Sequence, residues 1–437
     1  MMMMMSGCYG GEEEEASSHR KKRKLSSSSA GIPLLPEEMV LSCLARVSRS
    51  EHDSLSLVSK RHRSLLLTPE LYNYRSLMGC TENLIYLCLR IPPDLDPRWF
   101  TLSLKPRDRR LVPVASRLPS SHVDLGYFNQ PHEASSMVAH GCGIYVMGGR
   151  RFRRGSSSVM FLDGRSNTWS TLPSMGVARY SAAAGVVDGK IYVLGGCDDR
   201  ESSRWGEVFD PEKQTWDALP MPPHHCSPRG MFETIVINQD KLVALNDTWE
   251  CVSYTPSESR WNKMSKDKEA FAVNKCWHVI DNVVYCSGLD GRVLWCEADE
   301  WERPETKAVE WREVMGLESL RETLAASKLV NYGGRMGDNW EANKPLMLEA
   351  GLEITELDEK LPGHKLSNSG NNMLIFWDVL APNKLEIWCA EVSLVRHKET
   401  CQIIGNIVWS EAIMTLDPPP PHNFEEASAY VTYCLNG

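Results

Sequence analysis

The sequence of 437 residues lacks long apolar runs and the short motifs of common enzyme classes. No stretch approaches the ~18 consecutive apolar residues of a membrane span. Residues 1–15 contain no hydrophobic run of the kind found in a secretory leader. The patterns GxxxxGK[ST], GxGxxG, HExxH and GxSxG are all absent. These absences predict a protein without a membrane partner, a cofactor or a bound metal.

Cysteine pairs of the CxxC type are absent as well, although the chain contains 14 cysteines. Cys276, Cys286 and Cys296 fall in apolar, strand-like runs, which predicts reduced thiols rather than a disulfide framework. Positive charge is in deficit, because 48 Lys and Arg face 57 Asp and Glu for a net charge of −9. An acidic chain disfavours generic nucleic-acid binding, so we expect no nucleic-acid partner.

Residues 1–31 have low sequence complexity, which predicts a disordered tail. An acidic run at residues 12–15 is followed by a basic run at residues 20–24 and a serine run at residues 26–29. The basic run has the length and composition of a nuclear-import signal, and a solvated charge cluster is the alternative interpretation. We expect a location in the nucleus, the cytoplasm or both.

Residues 32–77 show helical periodicity. Pro36 suits the first turn of a helix, and apolar residues recur from Met39 to Val47 at helical spacing. A second apolar run covers residues 55–66, and a third helix is predicted to begin at Pro69. Three short helices make a small core, so we expect a partner surface to stabilise them.

The helical segment, LLPEEMVLSCLARVSRSEHDSLSLVSKRHRSLLLTPELYNYRS, resembles an F-box. The matching points are the Leu-Pro, Val-Ser-Lys, Leu-Leu and Pro-Glu-Leu groups. Many F-boxes carry a Trp in the third helix, whereas KRHRSL here is similar to the plant variety. The resemblance implies docking on a Skp-family adaptor and, through it, on a cullin; an ordinary helical domain is the alternative. The implied docking residues are Leu35, Pro36, Leu44, Val58 and Leu65.

From residue 84 onward, short alternating apolar runs broken by Gly, Pro, Asn and Asp predict strands and hairpins. The runs GIYVMGG and KIYVLGG end 47 residues apart, and four tryptophans follow in phase at separations of 47, 45 and 50 residues. Four strands in a unit of this length match a β-propeller blade. The phase is defined by Gly148, Gly149, Trp169, Gly195, Gly196, Trp216, Trp261 and Trp311.

Turn chemistry supports this unit. Asp188-Gly189 favours a type I′ hairpin turn, and paired glycines suit unusual backbone angles where blades crowd. The Gly-Gly pair, the phased Trp, and the Leu-Pro dipeptides followed by Arg179 or Arg229 resemble a kelch repeat. The resemblance implies a mainly β fold, a kelch β-propeller preceded by a small all-α F-box module.

The later repeats fade and leave residues 337–372 open to two interpretations. Gly-Gly returns at residues 333–334, but the next tryptophan in the pattern is Trp409. We favour a mobile insertion at residues 338–371 inside a last blade that SKLVNYGG begins. A further degenerate blade, which would make seven, is the alternative.

The ends of the repeat region predict how the ring closes. LIYLCLRI, WFTLSL and RLVPVA are one strand short of a blade, and ASAYVTYC at residues 427–434 is a strand without a neighbour. Joining them removes two free sheet edges. We therefore predict six blades over residues 84–437, the first built from both ends of this region.

Sequence patterns for catalysis are weak. Kelch propellers include copper-radical oxidases, which need a Cys–Tyr crosslink with Tyr and His ligands, but the 12 histidines here show no convergent pattern. His224-His225-Cys226 lies among prolines, which favours a loop over a metal site. We expect a non-catalytic binding protein.

Arginines follow the glycine pairs. Because each blade repeats one geometry, these loops are expected to meet at one mouth of the propeller, where guanidinium groups suit acidic peptide motifs. Ordinary polar loops are the alternative. The candidates for target binding are Arg150, Arg151, Arg153, Arg154, Arg200 and Arg335.

An F-box followed by kelch repeats resembles the plant F-box/kelch-repeat proteins over roughly 400 residues. The resemblance implies a substrate receptor of an SCF (Skp–cullin–F-box) ubiquitin ligase, in which the propeller holds a protein target. Such a receptor acts through proximity and performs no bond chemistry. Two alternatives stay open: a propeller scaffold without a ligase role, and an oxidase of the kelch class.

Overall fold

The computed structural model describes residues 35–90, 98–114, 135–151, 154–197, 204–222, 231–246, 251–264, 275–288, 290–302, 309–327, 364–381, 384–397, 399–416 and 428–436. A helical module comes first, and strands follow it. Within these ranges, no helix has the length and apolar character that crossing a membrane requires.

The helical module contains α1 (Glu37–Ala45), a 3-10 turn (Arg49–Glu51), α2 (His52–Val58), α3 (Lys60–Leu66) and α4 (Pro69–Leu77). The predicted helix starts are confirmed, since Pro36 is the N-cap of α1 and Pro69 is the first residue of α4. The prediction of one helix over residues 55–66 is wrong. Ser59 is extended and separates α2 from α3, and its hydroxyl accepts a hydrogen bond from the His62 N–H, which caps α3.

Six four-stranded antiparallel sheets form the blades of a propeller, as predicted. Blade 1 contains β1 (Asn83–Arg90), β2 (Arg98–Ser103), β3 (Arg110–Pro113) and β26 (Ser428–Asn436). Blade 2 contains β4 (Ser136–His140), β5 (Gly143–Met147), β8 (Val159–Asp163) and β9 (Thr168–Leu172), with a small hairpin of β6 (Arg150–Arg151) and β7 (Arg154–Gly155). Blade 3 contains β10 (Ala183–Val187), β11 (Lys190–Leu194), β12 (Gly206–Asp210) and β13 (Thr215–Ala218).

Blades 4 to 6 repeat the same order of strands. Blade 4 contains β14 (Met231–Ile237), β15 (Lys241–Asn246), β16 (Cys251–Thr255) and β17 (Arg260–Met264), with a 3-10 turn at Pro256–Glu258. Blade 5 contains β18 (Lys275–Ile280), β19 (Val283–Ser287), β20 (Val293–Glu297) and β21 (Arg312–Glu313), with 3-10 turns at Ala298–Glu302 and Glu318–Leu320 and helix α5 (Arg321–Ala326). Blade 6 contains β22 (Lys365–Ser369), β23 (Asn372–Ala381), β24 (Lys384–His397) and β25 (Gln402–Leu416).

The ring closes through blade 1, and this confirms the prediction that both ends of the repeat region share a sheet. β26 pairs antiparallel with β1 from Asn83↔Asn436 to Arg90↔Ser428 and is the innermost strand of that blade. The innermost strands β26, β4, β10, β14, β18 and β22 contact one another in a continuous circle.

The predicted start of blade 6 is wrong. Its innermost strand is β22, which lies near the end of the expected insertion, and not the SKLVNYGG segment. β22 and β23 are joined by a tight turn at Gly370, whose φ of 60° suits glycine. No strand was predicted in the polar sequence KLSNSGNN, because it lacks the apolar alternation that indicates a strand. Gly333, Gly334 and residues 338–363 lie outside the described residues.

Trp169, Trp216 and Trp261 lie on the fourth strands of their blades, and Trp311 directly precedes the fourth strand of blade 5. Trp216 Nε1 donates to Pro173 O and Trp261 Nε1 donates to Pro220 O, both at 2.8 Å. The Leu-Pro dipeptide of one blade therefore accepts a hydrogen bond from the Trp of the next blade. This pairing explains why the two motifs recur in phase.

The turns and glycines match their sequence signals. Asp188 and Gly189 have φ values of 49° and 72°, as a type I′ turn requires. The phased glycines also have positive φ, with Gly148 at 65° and Gly196 at 67°. A Cβ atom at Gly196 would lie 2.4 Å from the Tyr180 carbonyl oxygen, so only glycine fits there.

Antiparallel order gives the ring two distinct faces. The turns that join first to second strands and third to fourth strands form the turn face, which includes residues 164–167 and 188–189. The connections from second to third strands and from blade to blade form the loop face, which includes residues 148–158 and 173–182.

Candidate protein-interaction surfaces

The helical module has a small core of its own. Arg75 is buried and donates hydrogen bonds to Ala45 O at 3.1 Å and Val47 O at 2.7 Å, which satisfies carbonyl groups at the end of α1. These contacts join α4 to the end of α1. The buried apolar members of this core are Leu41, Leu44, Ala45, Leu65, Leu66 and Leu71.

The structure divides the five predicted docking residues into two groups. Leu44 and Leu65 are buried in the module core, so their side chains stabilise the module and are not available to a partner. Leu44 and Leu65 are among the predicted docking residues, and in the structure they pack inside the module. Pro36 is exposed, and Leu35 and Val58 are 46% and 65% exposed to solvent.

Further apolar side chains on the module were not predicted as docking residues. Leu57 is adjacent to Val58 in α2 and is 78% exposed, while Met39 in α1 is 54% exposed. Large exposed apolar side chains on so small a unit are typical of a protein-binding surface. The available sequence signal was the number of apolar residues in α1 and α2, which exceeds what one helix face can bury.

The loop face carries part of the predicted arginine cluster. The Arg150 guanidinium lies 4.5 Å from the centroid of the Tyr180 ring, and Arg154 is exposed. Arg150 and Arg151 pair through the backbone with Gly155 and Arg154 in the β6–β7 hairpin. The side chain of Arg151, and the whole of Arg153, Arg200 and Arg335, lie outside the described residues, so a ring of arginines stays a prediction.

A buried arginine, Arg179, forms hydrogen bonds to the loops of this face. Arg179 donates to Glu207 Oε2 from Nη2 at 2.9 Å and from Nε at 3.2 Å. It also donates to the carbonyl oxygens of Gly195, Trp205 and Arg204 at 2.7, 2.9 and 2.6 Å. Arg179 thus ties the connection between blades 2 and 3 to the loop that follows β11. The sequence marked Arg179 as part of the repeat but gave no sign of its acidic partner.

Nucleophilic and metal-ligating groups do not converge in the described part of the chain. Burial raises the pKa of the Cys88, Cys296 and Cys389 thiols, which keeps them protonated. No group of three His, Cys, Asp or Glu side chains in the described ranges is placed to hold a metal ion. The segment His224-His225-Cys226 lies outside those ranges.

The fold and its appended helices define a propeller protein with a small helical docking module. A family profile described as the F-box domain matches residues 32–74, and one described as the FKB95, Kelch-repeats domain matches residues 99–348. The chain belongs to the F-box/kelch-repeat protein family.

Relatives in Arabidopsis thaliana support this assignment. A putative F-box/kelch-repeat protein is 36% identical over 390 residues, which cover 88% of this chain and 86% of the relative. A second F-box/kelch-repeat protein is 34% identical over 399 residues, with 88% of this chain and 90% of the relative covered. A third is 43% identical over 238 residues, with 54% of this chain and 86% of the relative covered.

Proposed function

We propose that this chain is the substrate-recognition subunit of an SCF-type E3 ubiquitin ligase. The F-box module docks on a Skp-family adaptor, which links it to a cullin, and the propeller holds a protein target. The observation that carries the proposal is the union in one chain of an F-box module with exposed apolar side chains and a closed kelch propeller.

The proposed mechanism is proximity. A receptor that binds adaptor and target together raises the effective concentration of target lysines near the ubiquitin-carrying enzyme. The chain itself then needs two binding surfaces and no catalytic group. The exposed Leu35, Pro36 and Val58 side chains are the proposed adaptor contacts.

The loop face is the proposed target surface. The helical module contacts turn-face residues of the ring, because Arg49 donates to Gly164 O and Lys105 Nζ lies 2.7 Å from Glu51 Oε1. The opposite face therefore offers its loops without interference from the adaptor. Arg150 and Arg154 lie on this face and suit carboxylate or phosphate groups of a target peptide.

The adaptor interaction is tested by co-purification with a Skp-family adaptor. We expect the variant Leu35→Ala/Pro36→Ala, and separately Val58→Asp, to lose adaptor capture while the ring keeps its melting temperature. Met221→Ala removes an exposed apolar side chain from the ring and serves as the matched control. Capture at the wild-type level by both module variants would refute the proposal.

A second variant separates folding from docking. Leu44 is buried in the module core, so Leu44→Ala is expected to cost about 2–5 kcal/mol of module stability. We expect loss of capture to coincide with loss of α1–α4 protection against hydrogen exchange. Val58→Asp is expected to lose capture with that protection retained.

The target interaction is tested by affinity capture and mass spectrometry, with and without proteasome inhibition. Exchange of Arg150, Arg151, Arg153 and Arg154 for Ala is expected to reduce target capture, and undiminished capture would refute their role. A scaffold without a ligase role predicts captured proteins whose abundance does not rise on proteasome inhibition. An oxidase predicts copper in the purified protein, measured by elemental analysis.

The basic run at residues 20–24 is the proposed nuclear-import signal. We expect its replacement by Ala to move a fluorescent fusion from the nucleus to the cytoplasm. An unchanged distribution would leave the run as a solvated charge cluster.

A further inference from the structure

A tyrosine of the helical module lies close to two guanidinium groups, one from the module and one from the ring. The Arg49 guanidinium is 5.2 Å from the centroid of the Tyr72 ring, and the Arg165 guanidinium is 5.8 Å from it. Burial raises the pKa of the Tyr72 hydroxyl, so the ring stays neutral. An electron-rich ring attracts each of the two cations.

Each guanidinium is itself held in place. Asp163 binds Arg165 in a bidentate pair, with Nη2–Oδ2 at 2.6 Å and Nε–Oδ1 at 3.0 Å. Arg49 donates to the Gly164 carbonyl oxygen of the same turn, and its backbone N–H donates to Glu82 Oε2 at 2.8 Å. This cluster of Arg49, Tyr72 and Arg165 therefore joins α4 and the 3-10 turn of the module to one turn of blade 2.

The same turn also contacts strand β1 of the ring. Tyr86 Oη donates to Asn167 Oδ1 at 2.9 Å and lies 3.3 Å from Gly164 O. A separate contact joins Glu51 of the module to Lys105 in blade 1, with Nζ–Oε1 at 2.7 Å. A single contact point would allow the module to rotate on the ring. Contacts with two neighbouring blades restrict that rotation.

We propose that the Arg49–Tyr72–Arg165 cluster, with the Glu51–Lys105 pair, clamps the helical module to the turn face at one fixed orientation. Arg49 and Arg165 are positioning residues, because they act through Tyr72 and touch neither of the proposed partners. The functional consequence rests on the proposed function: the clamp fixes the separation between the adaptor surface on the module and the target surface on the loop face.

The test measures the distance between module and ring in the full chain. Spin-labelled amino acids are introduced at Leu57 in the module and at Lys213 in the ring. Leu57 is 78% exposed, and the side chain of Lys213 is 72% exposed. We expect one narrow distance distribution for the wild type and a broader one for Arg49→Ala. Arg46→Ala is the matched control, because Arg46 is exposed and its guanidinium donates to Ser42 of α1. Its distribution is expected to stay narrow.

A variant on the ring side guards against misfolding of the module. Arg165→Gln leaves every module residue intact and is expected to broaden the distribution, and more so when combined with Lys105→Gln. A broad distribution in the wild type, or a narrow one in both Arg49→Ala and Arg165→Gln/Lys105→Gln, would overturn the clamp. If Arg49→Ala unfolds the module, the ring-side variant decides.

Adaptor capture by the same variants without spin labels separates this inference from the proposed function, because Leu57 lies beside Val58 on the proposed adaptor surface. The clamp variants leave Leu35, Pro36 and Val58 untouched, so we expect capture to persist while the distance broadens. A wild-type protein with a narrow distribution and no adaptor capture would refute the ligase role and leave the clamp standing.

Discussion

Arg179 and Glu207 form an ion pair that is almost completely removed from solvent. Arg179 Nη2 lies 2.9 Å from Glu207 Oε2, and the two side chains are 1% and 0% exposed. The Glu207 carboxylate also accepts a hydrogen bond from the Gly176 N–H at 2.8 Å. A buried carboxylate of this kind depends on its partners, because an unpaired charge in the interior is costly.

Replacement of Arg179 by Met is therefore expected to destabilise the ring by about 3–5 kcal/mol, since it leaves the Glu207 charge buried and unpaired. Chemical denaturation measures the loss. Arg204→Ala is the control, because Arg204 is 47% exposed and lies 3.4 Å from the same carboxylate. Its expected cost is below about 1 kcal/mol. Equal losses in the two variants would contradict the assignment of Arg179 as the main partner.

Gly196→Ala is expected to be far more costly than Gly189→Ala. Both glycines have positive φ, 67° and 72°, so both substitutions carry a backbone penalty of about 1–2 kcal/mol. At Gly196 the new Cβ would also lie 2.4 Å from the Tyr180 carbonyl oxygen, whereas at Gly189 the nearest atom is 4.0 Å away. We expect a difference of about 2 kcal/mol or more in unfolding free energy. Similar values would show that backbone conformation alone selects glycine.

Removal of residues 427–437 is expected to open the ring, because it deletes β26 and leaves β1 without its inner neighbour. The expected result is insoluble protein, or soluble protein with a much lower melting temperature. Removal of residues 1–30 is the control, since those residues precede the module. An unchanged melting temperature after removal of residues 427–437 would contradict closure by β26.

The stability of the ring is expected to fall as the pH drops below about 6.5, the ordinary histidine pKa. His364 is fully buried, and burial together with the neighbouring Lys365 lowers its pKa to about 3. Between these two values the unfolded chain binds a proton that the folded chain does not. The contribution of neutral His364 to the free energy of unfolding is therefore complete above pH 6.5. Below pH 6.5 the free energy of unfolding falls by up to about 1.4 kcal/mol per pH unit.

His364→Met removes this titration while it keeps a similar volume. We expect its unfolding free energy to decline less steeply than that of the wild type between pH 6.5 and pH 4. His397→Gln, which replaces an exposed histidine, is the control. Parallel slopes for the wild type and His364→Met would show that His364 does not titrate in this way.

The propeller was predictable because its signals are local and repeated. Asp188-Gly189 dictates a turn by backbone conformation, and Trp216 and Trp261 each mark a fourth strand in contact with the preceding Leu-Pro. The unpaired apolar segment that became β26 indicated closure, because an open sheet edge is unfavourable. The composition of blade 1 follows from these features, and six blades were favoured over seven on the same ground.

Other features depend on contacts that no local pattern records. β22 carries the polar sequence KLSNS and is a strand because β23 pairs with it. Leu44 and Leu65 match the docking motif by type, but burial is decided by how α1 to α4 pack. The ring-side partners of Arg49 and Arg179 lie 115 and 28 positions away at Gly164 and Glu207, so neither pairing is visible in sequence spacing.

Closure by β26 has a consequence for biosynthesis. About 340 residues separate β1 from β26, and the ribosome adds roughly 5–20 residues per second, so blade 1 waits roughly 20–70 s for its inner strand. Throughout that interval, β1 offers an unpaired edge to other nascent chains and to chaperones. Every prematurely terminated product lacks the closing strand, whatever its length. Only chains translated through β26 can therefore pair the edge of β1. In shorter chains this edge stays unpaired and accessible to chaperones.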